Sequence, residues 1–184
     1  MNLRHQTERL EMMREKITAW MKAKRSEVPI PVYGSVDVRD AGWKIGVVDA
    51  NHFPAGFNNV SSENLAELSK LFNDHISRSH PDCSWVHIYP ESHTRKQGYV
   101  ENIATIKAMI ESAGYECTVG SPALNGLEAV HGISGPLLLT DVALNDDDEL
   151  TVNGSKPDLI LLNNDLTDGN IPGVQSTNIT PPPH

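Results

Sequence analysis

The stretch that decides the fold is residues 85–120, which read WVHIYPESHTRKQGYVENIATIKAMIESAGYECTVG. Trp85–Tyr89 and Tyr115–Gly120 have the apolar and β-branched content of strands, and Tyr99–Ala113 between them repeats apolar residues at helical spacing. Gly114 follows the helix where a left-handed C-cap is expected. Strand, loop, helix, turn and strand in this order predict a βαβ unit with a parallel pair of strands.

A second apolar segment extends this prediction toward the C-terminus. Leu159–Leu162 is a continuous apolar run, which is typical of a strand buried on both faces of a parallel sheet. Together with the βαβ unit it predicts an α/β fold with a mainly parallel central sheet and flanking helices. In such sheets, ligands bind beyond the carboxyl ends of the strands, so the residues that follow each strand are the first candidates for a site.

Two polar clusters follow predicted strands. His93, Thr94 and Arg95 lie between a strand and a helix, where free backbone N–H groups and an arginine favour a carboxylate or a phosphate. Asn163, Asn164 and Asp165 end the apolar strand, and two amides with a carboxylate suit an ammonium, a hydroxyl or a metal-bound water. Ordinary capping and turn chemistry remains the alternative for both clusters.

A third candidate region precedes the βαβ unit. Tyr33–Val38 and Trp43–Val48 are short, alternating and joined by Asp40-Ala41-Gly42, which predicts a hairpin. Its charged residues alternate with apolar ones, so several share one face, and both signs together suit a zwitterion such as an amino acid. The alternative is a pair of surface salt bridges. The candidate binding residues of this region and of the two-phenylalanine loop after it are Asp37, Arg39, Lys44, Asp49, Asn51, His52, Asn58 and Asn59.

The two ends of the chain are organised differently from its middle. Residues 3–25 predict an amphipathic helix, with apolar residues at seven-residue spacing that we expect to pack on the rest of the fold; a dimerising seam is the alternative. Leu137–Ala143 and Glu149–Val152 predict a hairpin across a solvated Asp146–Asp148 turn. We divide the chain into an N-terminal helix (1–26), an α/β substrate-binding domain (27–167) and an irregular tail (168–184), and we expect a larger protein to continue beyond the tail.

Composition excludes several classes of protein. Fifteen Lys and Arg against 24 Asp and Glu give a net charge of −9, which argues against nucleic-acid binding. There is no apolar run of about 18 residues for a membrane span, and residues 1–25 lack the apolar core of a signal peptide. Two cysteines with no CxxC argue against a disulfide framework or a zinc site and favour a reducing, cytoplasmic compartment. No P-loop or HExxH motif is present, so no catalytic residue or metal ligand is assigned.

Three segments together resemble a known family. They are VYGSVDVRDAGWK (32–44) leading into VDANHFPAGFNN (48–59), HTR (93–95) followed by YVEN (99–102), and PDLILLNNDL (157–166). In order and spacing they resemble the N-terminal part of the proteobacterial glutamate–cysteine ligases typified by acidophilic thiobacilli, a family distinct from the enteric enzyme. The resemblance spans roughly residues 28–184.

This resemblance implies ATP-dependent ligation of L-glutamate to L-cysteine to form γ-glutamylcysteine, the first step of glutathione synthesis, on an ATP-grasp-like architecture. The members of the family are much longer, so residues that bind ATP and Mg²⁺ are expected mostly beyond His184, and this chain alone is expected to be inactive. The alternatives are a non-catalytic α/β module that binds an amino acid or small anion, and another ATP-dependent carboxylate–amine ligase.

The same resemblance suggests roles for the candidate residues. Cations would meet substrate carboxylates or an acyl phosphate, carboxylates the substrate ammonium, and amides would fix orientation; His93 would donate to an anion. The candidate cations are Arg39, Lys44 and Arg95, and the candidate carboxylates are Asp37, Asp49 and Asp165. The candidate amides are Asn51, Asn58, Asn59, Asn163 and Asn164. We expect the three stretches to converge on one pocket at the rim of the sheet.

Overall fold

The computed structural model describes residues 3–28, 30–92, 96–164, 173 and 178–181. The chain forms two compact units, Met1–His52 and Phe53–His184. The predicted division assigns functions as well as packing units, so it stays a prediction. Its parts are residues 1–26, 27–167 and 168–184.

The first unit begins with a long helix, α1 (Leu3–Glu27), as the heptad spacing predicts. Its residues are mostly strong helix formers such as Lys, Glu, Arg, Met and Ala. The expectation that its apolar stripe is buried is wrong for the described side chains. Leu10 and Trp20 are about 60% exposed and Ile17 is 38% exposed. Local helix propensity therefore explains this element better than burial does.

The rest of the first unit is the predicted hairpin, with β1 (Ser35–Asp40) antiparallel to β2 (Ile45–Asn51). Ala41 donates its N–H to Lys44 O at 3.0 Å, and Gly42 takes the left-handed φ of 79° that the turn requires. The register shifts once: Val38 faces Val47 but Asp37 faces Asp49, so Val48 is an extra residue in β2. This bulge places Asp49 and Asp37 on the same face.

The second unit contains two helices, eight strands and two short 3₁₀ turns among its described residues. In chain order these elements are a 3₁₀ turn (Phe57–Asn59), α2 (Ser62–Ser79), β3 (Trp85–Pro90), α3 (Gln97–Ser112), β4 (Glu116–Val119), a second 3₁₀ turn (Pro122–Leu124), β5 (Ala129–His131), β6 (Pro136–Leu138), β7 (Val142–Leu144), β8 (Leu150–Val152), β9 (Leu159–Asn163) and β10 (Ile179–Thr180).

The central sheet has four strands in the order β10-β9-β3-β4, and every neighbouring pair is parallel. The predicted βαβ unit is therefore confirmed, with α3 connecting β3 to β4. Val100, Ile103, Ile106 and Ile110 form the buried face of α3, and Gly114 ends it with a φ of 99°. The described chain is thus an α/β fold with a four-stranded parallel sheet and three helices.

The segment between β4 and β9 contains two hairpins instead of the one predicted. β7 and β8 pair across the exposed Asp146–Asp148 turn, as expected. Leu137 and Leu138, however, belong to β6, which pairs with β5 across a turn at Gly132–Gly135. Gly132 and Gly135 bound the turn of this extra hairpin. The sequence did not predict it, because three-residue strands are too short to show an alternating pattern.

The two faces of the sheet are covered by different elements. Tyr89, Ile160 and Leu162 are buried in one cluster with residues of β7 and β8. Val86 and Ile88 alternate with Tyr89 along β3 and are completely buried on the opposite face. Burial on both faces explains why β9 is apolar from end to end. No helix among the described residues is long and apolar enough to cross a membrane.

Asp158 joins the amino ends of the two central strands, β3 and β9. Its Oδ2 accepts hydrogen bonds from Ser84 N (2.8 Å), Ser84 Oγ (2.8 Å) and Trp85 N (2.9 Å). The Ser84 N–H is the largest cause that lowers the pKa of this carboxyl.

We expect Asp158→Ala to lower the free energy of unfolding by about 1–2 kcal/mol, because three donors lose an anionic acceptor that is only partly screened by solvent. Urea unfolding checks this value. The matched control is Asp82→Ala, which changes the same residue type in the exposed turn before β3. Equal stability of the two variants would contradict a structural role for Asp158.

Candidate functional site

The carboxyl ends of β3 and β9 lie side by side, because Pro90 pairs with Asn163 in the parallel register. This is the edge at which an α/β sheet binds ligands. The apolar run of β9 stops there at Asn163 and Asn164, which are 1% and 9% exposed. Buried amides at this edge need partners, and those partners define the site.

The first partner is Tyr99, in the first turn of α3. Its hydroxyl donates to Asn163, 2.7 Å from the backbone oxygen and 3.0 Å from Oδ1. The same hydroxyl accepts the N–H of Glu91 at 3.1 Å. Tyr99 therefore ties the start of α3 to the end of β9 and to the first residue after β3.

The second partner is the loop that precedes α2. Asn163 Nδ2 donates to Pro54 O of this loop at 3.2 Å. The neighbouring Asn164 Nδ2 donates instead to Pro90 O, at the end of β3, at 3.3 Å. The loop carrying Asn58 and Asn59 is thus held against the end of β9. Asn58 is half-buried and Asn59 is exposed.

Asn102 is a site residue that the sequence analysis did not select. It is completely buried in α3, and its Oδ1 accepts the N–H groups of Gly56 (2.8 Å) and Phe57 (2.9 Å). Its Nδ2 is buried without a hydrogen-bond partner among the described residues. The sequence did contain a signal, because Asn102 is a polar residue beside Ile103 on the apolar face of the helix.

The predicted residues of the hairpin lie in the first unit. Asp37 and Asp49 face each other across the strands, and Arg39 follows on the same face, opposite Gly46. Asn51 also shares this face, and its Nδ2 donates to Asp49 Oδ2 at 3.3 Å. Two carboxylates opposite each other repel, so this face gains from a bound cation or ammonium.

Lys44 lies in the turn of the hairpin and His52 directly after β2, and both are exposed. The structure therefore gathers Asp37, Arg39, Asp49 and Asn51 on one hairpin face and, in the second unit, brings Asn163, Asn164 and the loop of Asn58 and Asn59 together. His93, Thr94, Arg95 and Asp165 lie outside the described residues. The convergence of all three stretches on one pocket stays a prediction.

Neither cysteine of the second unit, half-buried Cys83 or buried Cys117, is activated as a nucleophile. Burial raises the pKa of the Cys117 thiol to about 12, and burial with the nearby Asp158 charge raises that of Cys83 to about 11. Both thiols are protonated at neutral pH, and Cys117 is a buried residue of the core. A surface depression of about 410 Å³, lined by residues 126–128, 139–141 and Asn153, includes none of the predicted site residues.

The described residues do not by themselves suit ATP with Mg²⁺. In residues 3–28, 30–92 and 96–164, no group of three or more His, Cys, Asp or Glu side chains could hold a metal ion. The hydrogen bonds described at the strand ends join amides, a phenol and backbone groups to one another and involve no cationic side chain of the kind that binds a triphosphate.

The comparison with protein families decides the assignment. The family model described as GshA: Glutamate-cysteine ligase matches residues 7–184. The chain belongs to the glutamate-cysteine ligase family. The resemblance carried by the three sequence segments is thereby confirmed.

A solved structure agrees with this family. The chain is similar to a protein from Methylobacillus flagellatus KT that is provisionally named a gamma-glutamylcysteine synthetase, with 30% sequence identity and a TM-score of 0.85. The match covers 96% of this chain and 42% of that chain, so this glutamate-cysteine ligase family member spans less than half the length of its solved relative. None of the curated proteins compared with the chain matches it significantly.

Proposed function

We propose that this chain is the amino-acid-binding α/β part of an ATP-dependent glutamate–cysteine ligase that forms γ-glutamylcysteine for glutathione synthesis. Family membership supports the reaction class. The observation that carries the binding role is the cluster of buried amides at the carboxyl ends of β3 and β9. We propose further that the sheet precedes an ATP-grasp-like ATP-binding half, that the protein is cytoplasmic, and that the isolated chain is inactive.

The chemistry requires accurate positioning of two amino acids. The γ-carboxylate of glutamate takes the terminal phosphoryl group of ATP, and ADP leaves. The amine of cysteine then attacks the acyl carbon, the new amide bond forms, and inorganic phosphate departs with a proton released from the amine. Orientation and neutralisation of negative charge supply most of the catalysis in such transfers.

The residues at the strand ends fit the orienting part of this task. Asn163 and Asn164 are held by Tyr99 and by backbone oxygens, so their amides have fixed directions. We propose that Asn58 and Asn59 contact the same amino acid, and that Thr94, Arg95, His93 and Asp165 complete the binding of its charged groups.

We propose that the hairpin residues also contact a substrate. Arg39 and Lys44 would neutralise a carboxylate, and Asp37 and Asp49 would bind an ammonium. Asn51 would fix the orientation of the substrate, and His52 is a further candidate contact. The pair of facing carboxylates supports an ammonium ligand for this face.

Phosphate release from ATP tests the proposed reaction in the protein expressed from its full reading frame. We expect release only with L-glutamate and an amine, with L-cysteine preferred over other amines. A preference for a different amine would instead identify another carboxylate–amine ligase. Binding of glutamate with no phosphate release would favour the non-catalytic binding module.

Arg39→Ala should lower kcat/KM for ligation at least about tenfold, which equals about 1.4 kcal/mol of lost transition-state binding. The reason is the loss of a cation that neutralises a substrate carboxylate. Arg9→Ala is the matched control, since it removes an exposed arginine of the same unit that is no candidate for binding. Equal kcat/KM for the two variants would remove Arg39 from the proposed site.

A further inference from the structure

Two amide side chains hold the loop Phe53–Asn59 at two separate points. Asn102, from α3, accepts the consecutive N–H groups of Gly56 and Phe57 on one oxygen, at 2.8 and 2.9 Å. Asn163, from β9, donates to Pro54 O at 3.2 Å. The loop is therefore fixed by side chains that come from helix and sheet, 45 to 109 residues away in sequence.

The backbone of the loop is shaped for this attachment. Gly56 has a φ of 110°, a left-handed conformation that turns its N–H and the following N–H toward the same acceptor. Immediately afterwards, Asn59 N donates to Gly56 O (2.9 Å) and Val60 N donates to Phe57 O (3.0 Å), which closes a 3₁₀ turn. Asn58 and Asn59 lie in this turn, one and two residues beyond the Asn102 contact.

The two atoms of the Asn102 amide are used very differently. Its oxygen accepts two hydrogen bonds, whereas its nitrogen is buried without a partner in the described part of the chain. An unpartnered buried N–H group is unfavourable, so the favourable contribution of this amide comes from its oxygen. The oxygen contacts the loop at the two residues that directly precede Asn58 and Asn59.

We propose that Asn102 is a positioning residue for substrate binding: its Oδ1 sets the conformation of the Phe53–Asn59 loop, and the loop then presents Asn58 and Asn59 to the amino acid. Asn163 holds the same loop at Pro54 and connects it to Tyr99 and the end of β9. This inference rests on the proposed function for its substrate, but the contact between Asn102 and the loop is independent of any activity.

Hydrogen exchange at the Gly56 and Phe57 amides tests the contact directly. In Asn102→Ala we expect both amides to exchange more than about tenfold faster than in the wild type, because they lose their acceptor. In Asn102→Asp we expect slower exchange than in Asn102→Ala, since one carboxylate oxygen still accepts both N–H groups, although the second oxygen replaces the unpartnered nitrogen at a completely buried position. Asn102→Ser, whose side chain is too short to reach the loop, replaces the alanine variant if that variant does not fold.

Steady-state kinetics of the protein from its full reading frame test the positioning role. Asn102→Ala should raise KM for glutamate or cysteine at least about tenfold, with kcat within about threefold of the wild type, and Asn102→Asp should restore KM. Asn125→Ala is the matched control, because Asn125 also makes two amide–backbone hydrogen bonds, to Val142 at 2.7 and 2.9 Å, far from the loop in sequence. Its exchange at Gly56 and its KM should equal those of the wild type.

The outcomes separate this inference from the proposed function. Unchanged exchange in Asn102→Ala, or faster exchange with unchanged KM, would overturn the positioning role. If Asn102→Asp did not restore exchange and KM toward the wild type, the assignment to Oδ1 would be overturned. If Asn102→Ala and Asn125→Ala raised KM equally, the effect would reflect only a general loss of stability. A wild-type protein that does not release phosphate from ATP would refute the proposed function while the exchange result still decides the contact.

Discussion

Gly120→Ala should lower the free energy of unfolding by at least about 3 kcal/mol. Among glycine-to-alanine substitutions at the described glycines, we expect this one to have the largest effect. A Cβ at this position would lie 2.1 Å from Thr140 O and 3.2 Å from Thr140 C. Both are backbone atoms, and Thr140 N is itself held by Val119 O at 2.8 Å. No side-chain rotation can relieve this contact, so the end of β4 or the start of β7 must move.

The same shift would disturb the sheet, because Gly120 also bonds to β3. Its N–H donates to Ile88 O at 3.2 Å, and its carbonyl accepts from His87 Nε2 at 3.1 Å. For a chain of this size, the expected loss corresponds to a fall in Tm of about 6–12 °C. Thermal unfolding followed by circular dichroism measures it.

Gly98→Ala is the matched control for this prediction. Gly98 lies in the first turn of α3, and a Cβ there would meet no atom within 4 Å. We expect this variant to be as stable as the wild type or up to about 1 kcal/mol more stable, since alanine favours helix more than glycine does. If Gly120→Ala were equally well tolerated, the close approach of Gly120 to Thr140 would be refuted.

Lowering the pH from above 6.5 to about 4 should remove about 3 kcal/mol of stability through His87 alone. Burial lowers the pKa of His87 to about 4, and its hydrogen bond to Gly120 O opposes this shift only in part. The imidazole is completely buried in β3. Below pH 6.5 the unfolded chain binds a proton that the folded chain does not, so the folded state loses its advantage until the pH reaches the folded pKa.

The hydrogen bonds around His87 fix the neutral form. Gly120 O only accepts, so Nε2 carries the hydrogen, and Nδ1 accepts from Thr118 Oγ1 at 2.8 Å. Thr118 Oγ1 in turn accepts from Trp85 Nε1 at 2.9 Å. A second proton on His87 would lie on Nδ1. Its hydrogen would then point at the hydrogen of the Thr118 hydroxyl, which donates to Nδ1 in the neutral form. Protonation therefore breaks the central bond of this chain of three, the one between Thr118 Oγ1 and Nδ1.

The measurement is urea unfolding of the wild type and of His87→Gln at several values between pH 7 and pH 4.5. The wild type should lose stability across this range, whereas His87→Gln, less stable at pH 7, should show a smaller slope. Asp158 and Glu101 have lowered pKa values and contribute mainly at lower pH, and His75 contributes equally to both proteins. Parallel stability curves for the two proteins would show that His87 is not the group responsible.

The sequence allowed the main elements of the sheet to be predicted because their signals are local. The βαβ unit from Trp85 to Val119 and the uninterrupted apolar strand β9 each carry their own pattern, and the structure has both. Asn163 and Asn164 were found for the same reason, since a polar pair that ends a buried strand must lie at the carboxyl edge. Their partners, Tyr99 and Pro54, could not be found, because those contacts span 64 and 109 residues.

One extra residue in the hairpin changes which side chains of β1 and β2 lie on the same face. Without the bulge at Val48, strict alternation would place Asp49 on the same face as Val47 and Ile45, away from Asp37. The extra residue reverses the alternation and brings Asp49 opposite Asp37. A bulge leaves no mark in composition or periodicity, so the pairing of these two carboxylates was visible only in the strand register.

The amino-acid sequence by itself determined the family, the parallel βαβ core and the polar strand ends, because each depends on short-range patterns that neighbouring residues enforce. Only the tertiary structure decided that Asn102 holds the Phe53–Asn59 loop, that Gly120 has no room for a side chain, and that His87 is kept neutral within the sheet. These three features depend on contacts between residues that the chain separates widely. Their energies come from close packing and from hydrogen bonds shielded from water, which no local pattern encodes.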